Sequence, residues 1–124
     1  MDLLIDTHVI VWIMEGSSRL SKLARLAVTD PGSRPIVSAM TAWEFADLRS
    51  RGRLPATASL ATALAIFDIR ILDLPAELWS LADGLPNLHG DPVDRMLIAH
   101  ALHAGLTLVT ADETIRRYPV PTLW

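Results

Sequence analysis

Asp91-Pro92-Val93-Asp94-Arg95-Met96-Leu97-Ile98-Ala99-His100 is the stretch around which the rest of the chain is read. Asp91 has the short acceptor side chain of a helix N-cap, and Pro92 follows at the first helical position, where its missing N–H costs nothing. Met96, Leu97, Ile98, Ala101 and Leu102 continue as an apolar stripe, and Gly105 supplies the stop. Asp94 falls at the third helical position, on the face of Asp91 and near the positive end of the helix dipole. Capping accounts for Asp91. Asp94 is spare once Asp91 caps, and is read as functional because acids occupy matching places elsewhere.

The same alternation runs through the chain. Asp2 to Ile5 is a short apolar run that ends at Asp6-Thr7-His8, the pattern of a buried parallel strand stopped by a helix cap. A helix over Val9–Met14 ends at Gly16-Ser17-Ser18. A second begins near Ser21, with Leu23, Leu26 and Ala27 expected on its inner face, and closes at Asp30-Pro31-Gly32. Pro35-Ile36-Val37 is a second strand, and Ser38 caps a helix carrying Met40, Trp43, Glu44, Phe45 and Leu48, stopped by Gly52 and Pro55. Leu60, Leu64 and Phe67 mark another helix, and residues 70–74 a third strand. Pro75 begins a helix through Trp79 and Leu81, broken at Gly84-Leu85-Pro86. Residues 106–110 form a further strand, a short helix reaches Tyr118, and residues 120–123 add an edge strand. Strands alternating with helices imply right-handed crossovers. The expected fold is an α/β three-layer sandwich, with a parallel sheet of four to five strands, in one domain over residues 1–124.

Composition bounds the function. The 124 residues are 51% hydrophobic and 20% charged, as in a globular protein with a sizeable core. The absence of cysteine excludes thiolate metal sites and disulfides, and makes the reducing cytoplasm the expected location. No basic n-region or apolar run of spanning length is present, so neither a signal peptide nor a membrane association is expected. A formal net charge of −3 argues against a strong nonspecific nucleic-acid binder, but not against an enzyme that holds phosphates through a cation.

In an open α/β sheet, ligands bind beyond the carboxyl ends of the strands where strand order reverses. Asp6 follows the first strand and Asp112 the strand over 106–110. Glu44 lies on the helix after the second strand, and Asp94 opens the helix feeding the fourth. All four can reach one end of the sheet. Two carboxylates 4 Å apart repel by about 4 kcal/mol at an effective dielectric of 20, so protons or a divalent cation must neutralise the group. Hard oxygen donors without cysteine favour Mg²⁺ or Mn²⁺ over zinc, and such a centre suits phosphodiester hydrolysis. The histidines lack a metal-binding spacing and are read as structural, with His89 near enough to touch substrate. Arg95 is expected to matter because it adjoins the acids. Arg49, Arg51 and Arg53 read as a solvated helix end that could contact phosphates, and the tryptophans as core or interface anchors.

The motifs Leu4-Ile5-Asp6-Thr7-His8, Ser38-Ala39-Met40-Thr41-Ala42-Trp43-Glu44, His89-Gly90-Asp91-Pro92-Val93-Asp94-Arg95 and Leu106-Thr107-Leu108-Val109-Thr110-Ala111-Asp112, closing at Tyr118-Pro119-Val120, span nearly the whole chain. In that order they resemble the PIN-domain ribonucleases of the VapC type, the toxin half of a toxin–antitoxin pair. The resemblance implies a Mg²⁺- or Mn²⁺-dependent endoribonuclease that acts on RNA, forms a homodimer and is silenced by a VapB-like antitoxin. It places the acidic quartet on Asp6, Glu44, Asp94 and Asp112, with Asp6, Asp94 and Asp112 on the metal. Asp91 and Thr110 match the family's accessory positions, and Arg95 and Thr7 are further accessory or substrate-contacting candidates. Gly90 departs from the family, where a basic residue is frequent.

Other acid-cluster phosphoryl-transfer proteins need a lysine near the site, and the single lysine, Lys22, lies on an early helix. No P-loop or dinucleotide-binding glycine run is present. A catalytically silent binding module on the same fold is the remaining alternative.

Overall fold

The computed structural model describes residues 1–124. Five parallel strands form one sheet in the order β3-β2-β1-β4-β5: β1 Asp2–Ile5, β2 Arg34–Ser38, β3 Arg70–Leu72, β4 Thr107–Val109 and β5 Thr122–Leu123. Six helices connect them: α1 Thr7–Glu15, α2 Lys22–Thr29, α3 Ala39–Ser50, α4 Leu60–Ile66, α5 Leu78–Asp83 and α6 Pro92–Ala104, with a 3-10 helix at Ile115–Arg117.

The period-2 alternation of the strands divides the core into two layers. Leu3, Ile5, Val37 and Val109 face one side and meet Val9, Ile10 and Ile13 of α1, Ala24 and Val28 of α2, Phe45 of α3 and Ala63 of α4. Leu4, Ile36 and Leu108 face the other, against Leu97, Ile98 and Ala101 of α6 and Ile115. Leu78 and Ala82 of α5 pack on Ala99 of α6. Right-handed crossovers explain the division. Going outward from β1 to β2 to β3 puts the connecting helices on one face, and the return from β3 to β4 puts α5 and α6 on the other. Strand order therefore reverses between β1 and β4, the three-layer arrangement expected from the sequence.

Helix boundaries follow local chemistry. Asp91 accepts from the backbone N–H groups of Val93 and Asp94, Pro92 opens α6, and Gly105 closes it at φ 66°. Asp6 caps α1, Ser21 caps α2 and Ser38 caps α3 through their side-chain oxygens. Two expectations are corrected. α2 buries Ala24 and Val28, while Leu23 and Leu26 are 56% and 57% exposed. Lys22, Arg25 and Thr29 share one polar side, but the five apolar residues cover a broad arc, and the helix is rolled so that its Ala24–Val28 edge rather than its Leu23–Leu26 edge meets the sheet. Of the tryptophans, Trp12 and Trp124 pack on the core, while Trp43 and Trp79 lie on the surface, where they are open to an interface. The strands beginning at Arg70 and ending at Leu123 are shorter than the apolar runs that contain them.

Candidate active site

At the carboxyl ends of β1 and β4, where strand order reverses, a cleft of about 420 Å³ is lined by Asp6, Glu44, Asp91, Asp94 and Asp112. His8, Val9, Trp12, Arg19 and Ala111 complete its walls. Each acid arrives on a different element. Asp6 follows β1 and Asp112 follows β4; Glu44 lies in the second turn of α3; Asp91 and Asp94 sit at the head of α6.

Asp6 is buried and fixed on both oxygens. Oδ1 accepts from the Thr7 N–H at 2.7 Å and Oδ2 from the Thr110 hydroxyl at 2.8 Å. The Thr7 hydroxyl donates to Oε1 of Glu44, joining the start of α1 to α3. Asp112 Oδ1 accepts from the N–H groups of Thr114 and Ile115, so this acid caps the 3-10 helix while its other oxygen, Oδ2, meets His89 Nε2 at 2.9 Å. The same Nε2 lies 3.1 Å from Asp94 Oδ2. One donor atom from each of His89, Asp94 and Asp112 falls within 4.8 Å of the others.

Electrostatics follow from crowding. Burial, with the charges of Asp6 and Asp91 nearby, pushes the Asp94 carboxyl up to about 7. Burial also raises Asp6 and Glu44, against the hydrogen bonds each receives. Burial alone would raise Asp112 too, but the hydrogen bonds from His89, Ile115 and Thr114 outweigh it and hold the group low. For His89, burial is outweighed by the Asp112 hydrogen bond and by the surrounding acids, so its pKa is raised.

The donor set fits a hard divalent cation. Every acid in the cleft offers oxygen, and no protein donor reaches Asp94 Oδ1, Glu44 Oε2 or Asp91 Oδ2. Carboxylates raised by burial, and further by their neighbours' charge, are those that a cation would return to their ionised form.

Arg95 does not join the acids. Its guanidinium donates to the carbonyls of Ala82 at 2.8 Å and Pro86 at 2.9 Å, and approaches Leu85 O and Tyr118 Oη. It closes the end of α5 rather than facing the cleft, so a substrate contact by Arg95 is withdrawn. Neighbouring residues on a helix are turned by about 100° from each other, which separates Arg95 from Asp94. Sequence reasoning missed Arg19, which lines the cleft, and it underrated His89, whose hydrogen-bond partner Asp112 is 23 residues away. The pairing of a lone histidine with one remote acid leaves no spacing to read.

Fold and site together define an open α/β protein with a carboxylate-lined cleft at its topological switch point. The chain belongs to the PIN-domain family, whose description "PIN domain" matches residues 3–121. It is 31% identical over 127 residues to Ribonuclease VapC22 of Mycobacterium tuberculosis, covering 98% of this chain and 97% of that protein. Among solved structures it is similar to VapBC2 of Rickettsia felis bound to a promoter DNA fragment (TM-score 0.72, 17% identity, 99% of this chain and 98% of that one). It is also similar to VapC20 of M. tuberculosis, a toxin that cleaves the sarcin-ricin loop (TM-score 0.62, 20% identity, 94% and 95% covered).

Proposed function

We propose that this protein is a VapC-type toxin, an endoribonuclease that hydrolyses RNA phosphodiester bonds with Mg²⁺ or Mn²⁺. The observation that carries the reading is the convergence of Asp6, Glu44, Asp94 and Asp112, from separate parts of the chain, on a single cleft. The choice of RNA is supported by the ribonuclease relative at 31% identity.

In this reading Asp6, Asp94 and Asp112 hold the ion, which when bound would polarise the phosphodiester, acidify the attacking water and stabilise the departing oxygen. The chain's own groups do the rest. Thr7 and Thr110 fix the Asp6 carboxylate so that it does not reorient during the reaction. Glu44 keeps Oε2 free while Thr7 holds Oε1, an arrangement suited to orienting water or taking its proton. Its raised pKa moves it towards the range of an effective general base. Asp91 sets the head of α6, and hence the place of Asp94. Arg19 is positioned at the rim to meet a phosphate.

A VapB-like antitoxin, a homodimer and a cytoplasmic location belong to the same proposal. Toxin–antitoxin complexes among the structural relatives support the partner. Exposed Leu23, Leu26, Trp43 and Trp79 offer apolar surface for protein contacts. No helix of the chain is long and apolar enough to cross a membrane. The test is expression in a bacterial host, with RNA ends mapped after induction. Growth arrest with new internal RNA ends, both relieved by the product of a short neighbouring reading frame, is expected; unimpaired growth with intact RNA contradicts the proposal.

A further inference from the structure

The clustering of one atom each from His89, Asp94 and Asp112 within 4.8 Å has the look of a mixed histidine–carboxylate metal site. The other ring nitrogen decides against it. His89 Nδ1 accepts the Asp91 backbone N–H at 3.1 Å, which requires a lone pair on Nδ1. In the neutral ring the single proton then sits on Nε2. In the imidazolium both nitrogens carry protons. In either state Nε2 is a donor with no lone pair for a cation.

We propose that His89 is a positioning residue of the metal centre: its Nε2–H donates to Asp112 while the ring sits against Asp94, so that the ion is left to carboxylate oxygens alone. This rests on the metal-dependent reading above. The segment that carries the ring is held from several directions. The N–H groups of His89 and Leu88 donate to Tyr118 Oη at 2.8 and 3.1 Å, and the Arg95 guanidinium lies 3.3 Å from the same oxygen. Tyr118 is itself buried, directly after the 3-10 helix whose first N–H groups are capped by Asp112. The contacts therefore form a closed circuit from Asp112 to His89, through Tyr118 and back along the 3-10 helix to Asp112. Asp94 Oδ2 lies 3.1 Å from the same Nε2, in an ion-pair contact rather than a hydrogen bond. Without the His89 donor, two carboxylates would repel each other with nothing between them, and an incoming ion would have to order both.

The test measures Mn²⁺ affinity of the full chain by the loss of the free-ion electron-paramagnetic-resonance signal. His89→Gln places an amide NH₂ near the Nε2 position, and His89→Asn places one only near Nδ1. The expected result is a loss of affinity of about 10- to 100-fold in His89→Ala. His89→Asn should lose as much, and His89→Gln should stay close to wild type. In ¹⁵N spectra of the wild type, Nε2 should remain protonated with and without Mg²⁺. Unchanged affinity in His89→Ala overturns the role. So does a His89→Gln variant as weak as His89→Ala, or an Nε2 that loses its proton when Mg²⁺ binds. Should His89→Ala fail to fold, the Gln variant and the wild-type spectra still decide. If the wild type binds no Mn²⁺, the metal-dependent reading fails and this role with it. If it binds Mn²⁺ and cleaves RNA while His89→Ala is unaltered, only the role of His89 fails.

Discussion

Thr110 donates its hydroxyl to Asp6 Oδ2 at 2.8 Å, joining the ends of β1 and β4 across 104 residues of sequence. Both residues are buried, so this bond fixes an acid at the point where the sheet reverses its order. Thr110→Val keeps the shape and removes the donor. It should cost about 1–2 kcal/mol in chemical denaturation. It should also raise the Asp6 pKa further and weaken Mn²⁺ binding. Unchanged stability and metal affinity would show that the bond carries nothing.

Asp94 should make the metal-free protein less stable as pH rises. Its folded pKa of about 7 lies above the ordinary 3.8, so between those values the folded chain keeps a proton that the unfolded chain has lost. Stability falls across that window and the penalty is complete above pH 7. Asp94→Asn should therefore stabilise the apo protein there by about 1–3 kcal/mol, after allowance for solvent screening of a partly exposed group. The gain should vanish below the ordinary carboxylate pKa, and saturating Mg²⁺ should reverse it. A pH-independent difference in urea midpoints would refute the assignment.

His100 acts with the opposite sign. It is buried on α6, with Nδ1 2.9 Å from Ser38 Oγ and Nε2 without a partner. Burial first, and the charge of His103 second, lower its pKa from 6.5. The folded state thus resists a proton that the unfolded state accepts, so the contribution of His100 is intact above pH 6.5 and is lost as pH falls below it. His100→Leu should lack this acid-side loss. The stability difference between wild type and variant should shift in favour of the variant as pH falls, and an NMR titration of His100 with a midpoint above 6.5 would contradict the account.

Arg95 should matter for folding rather than for substrate binding. Its guanidinium is the donor for carbonyls at the end of α5, and Lys offers no planar fork to replace it. Arg95→Lys should destabilise by about 1–3 kcal/mol. KM for RNA in the folded fraction should stay near wild type. A large rise in KM without loss of stability would restore a substrate contact.

Much of this architecture is legible in the sequence because its signals are local. Asp91-Pro92 and Gly105 bracket α6 through capping chemistry, and acids placed just past short apolar runs lie at the carboxyl ends of strands. The convergence of Asp6, Glu44, Asp94 and Asp112 on one cleft follows from the parallel topology. What is not legible depends on rotation and on distance. The burial of Ala24 and Val28 in place of Leu23 and Leu26 is set by how α2 rolls onto the sheet. Arg95 is separated from Asp94 by one step around a helix, and His89 finds Asp112 only through tertiary folding.

The most direct measurement follows cleavage of a structured RNA by the wild type, Asp6→Asn and Asp94→Asn, with chelator added and Mg²⁺ or Mn²⁺ then restored. The four-acid cleft predicts that chelation stops wild-type cleavage and that restored metal recovers it. Both variants should keep their fold and cleave nothing. Cleavage that survives chelation, or that persists with metal in either variant, would contradict the account.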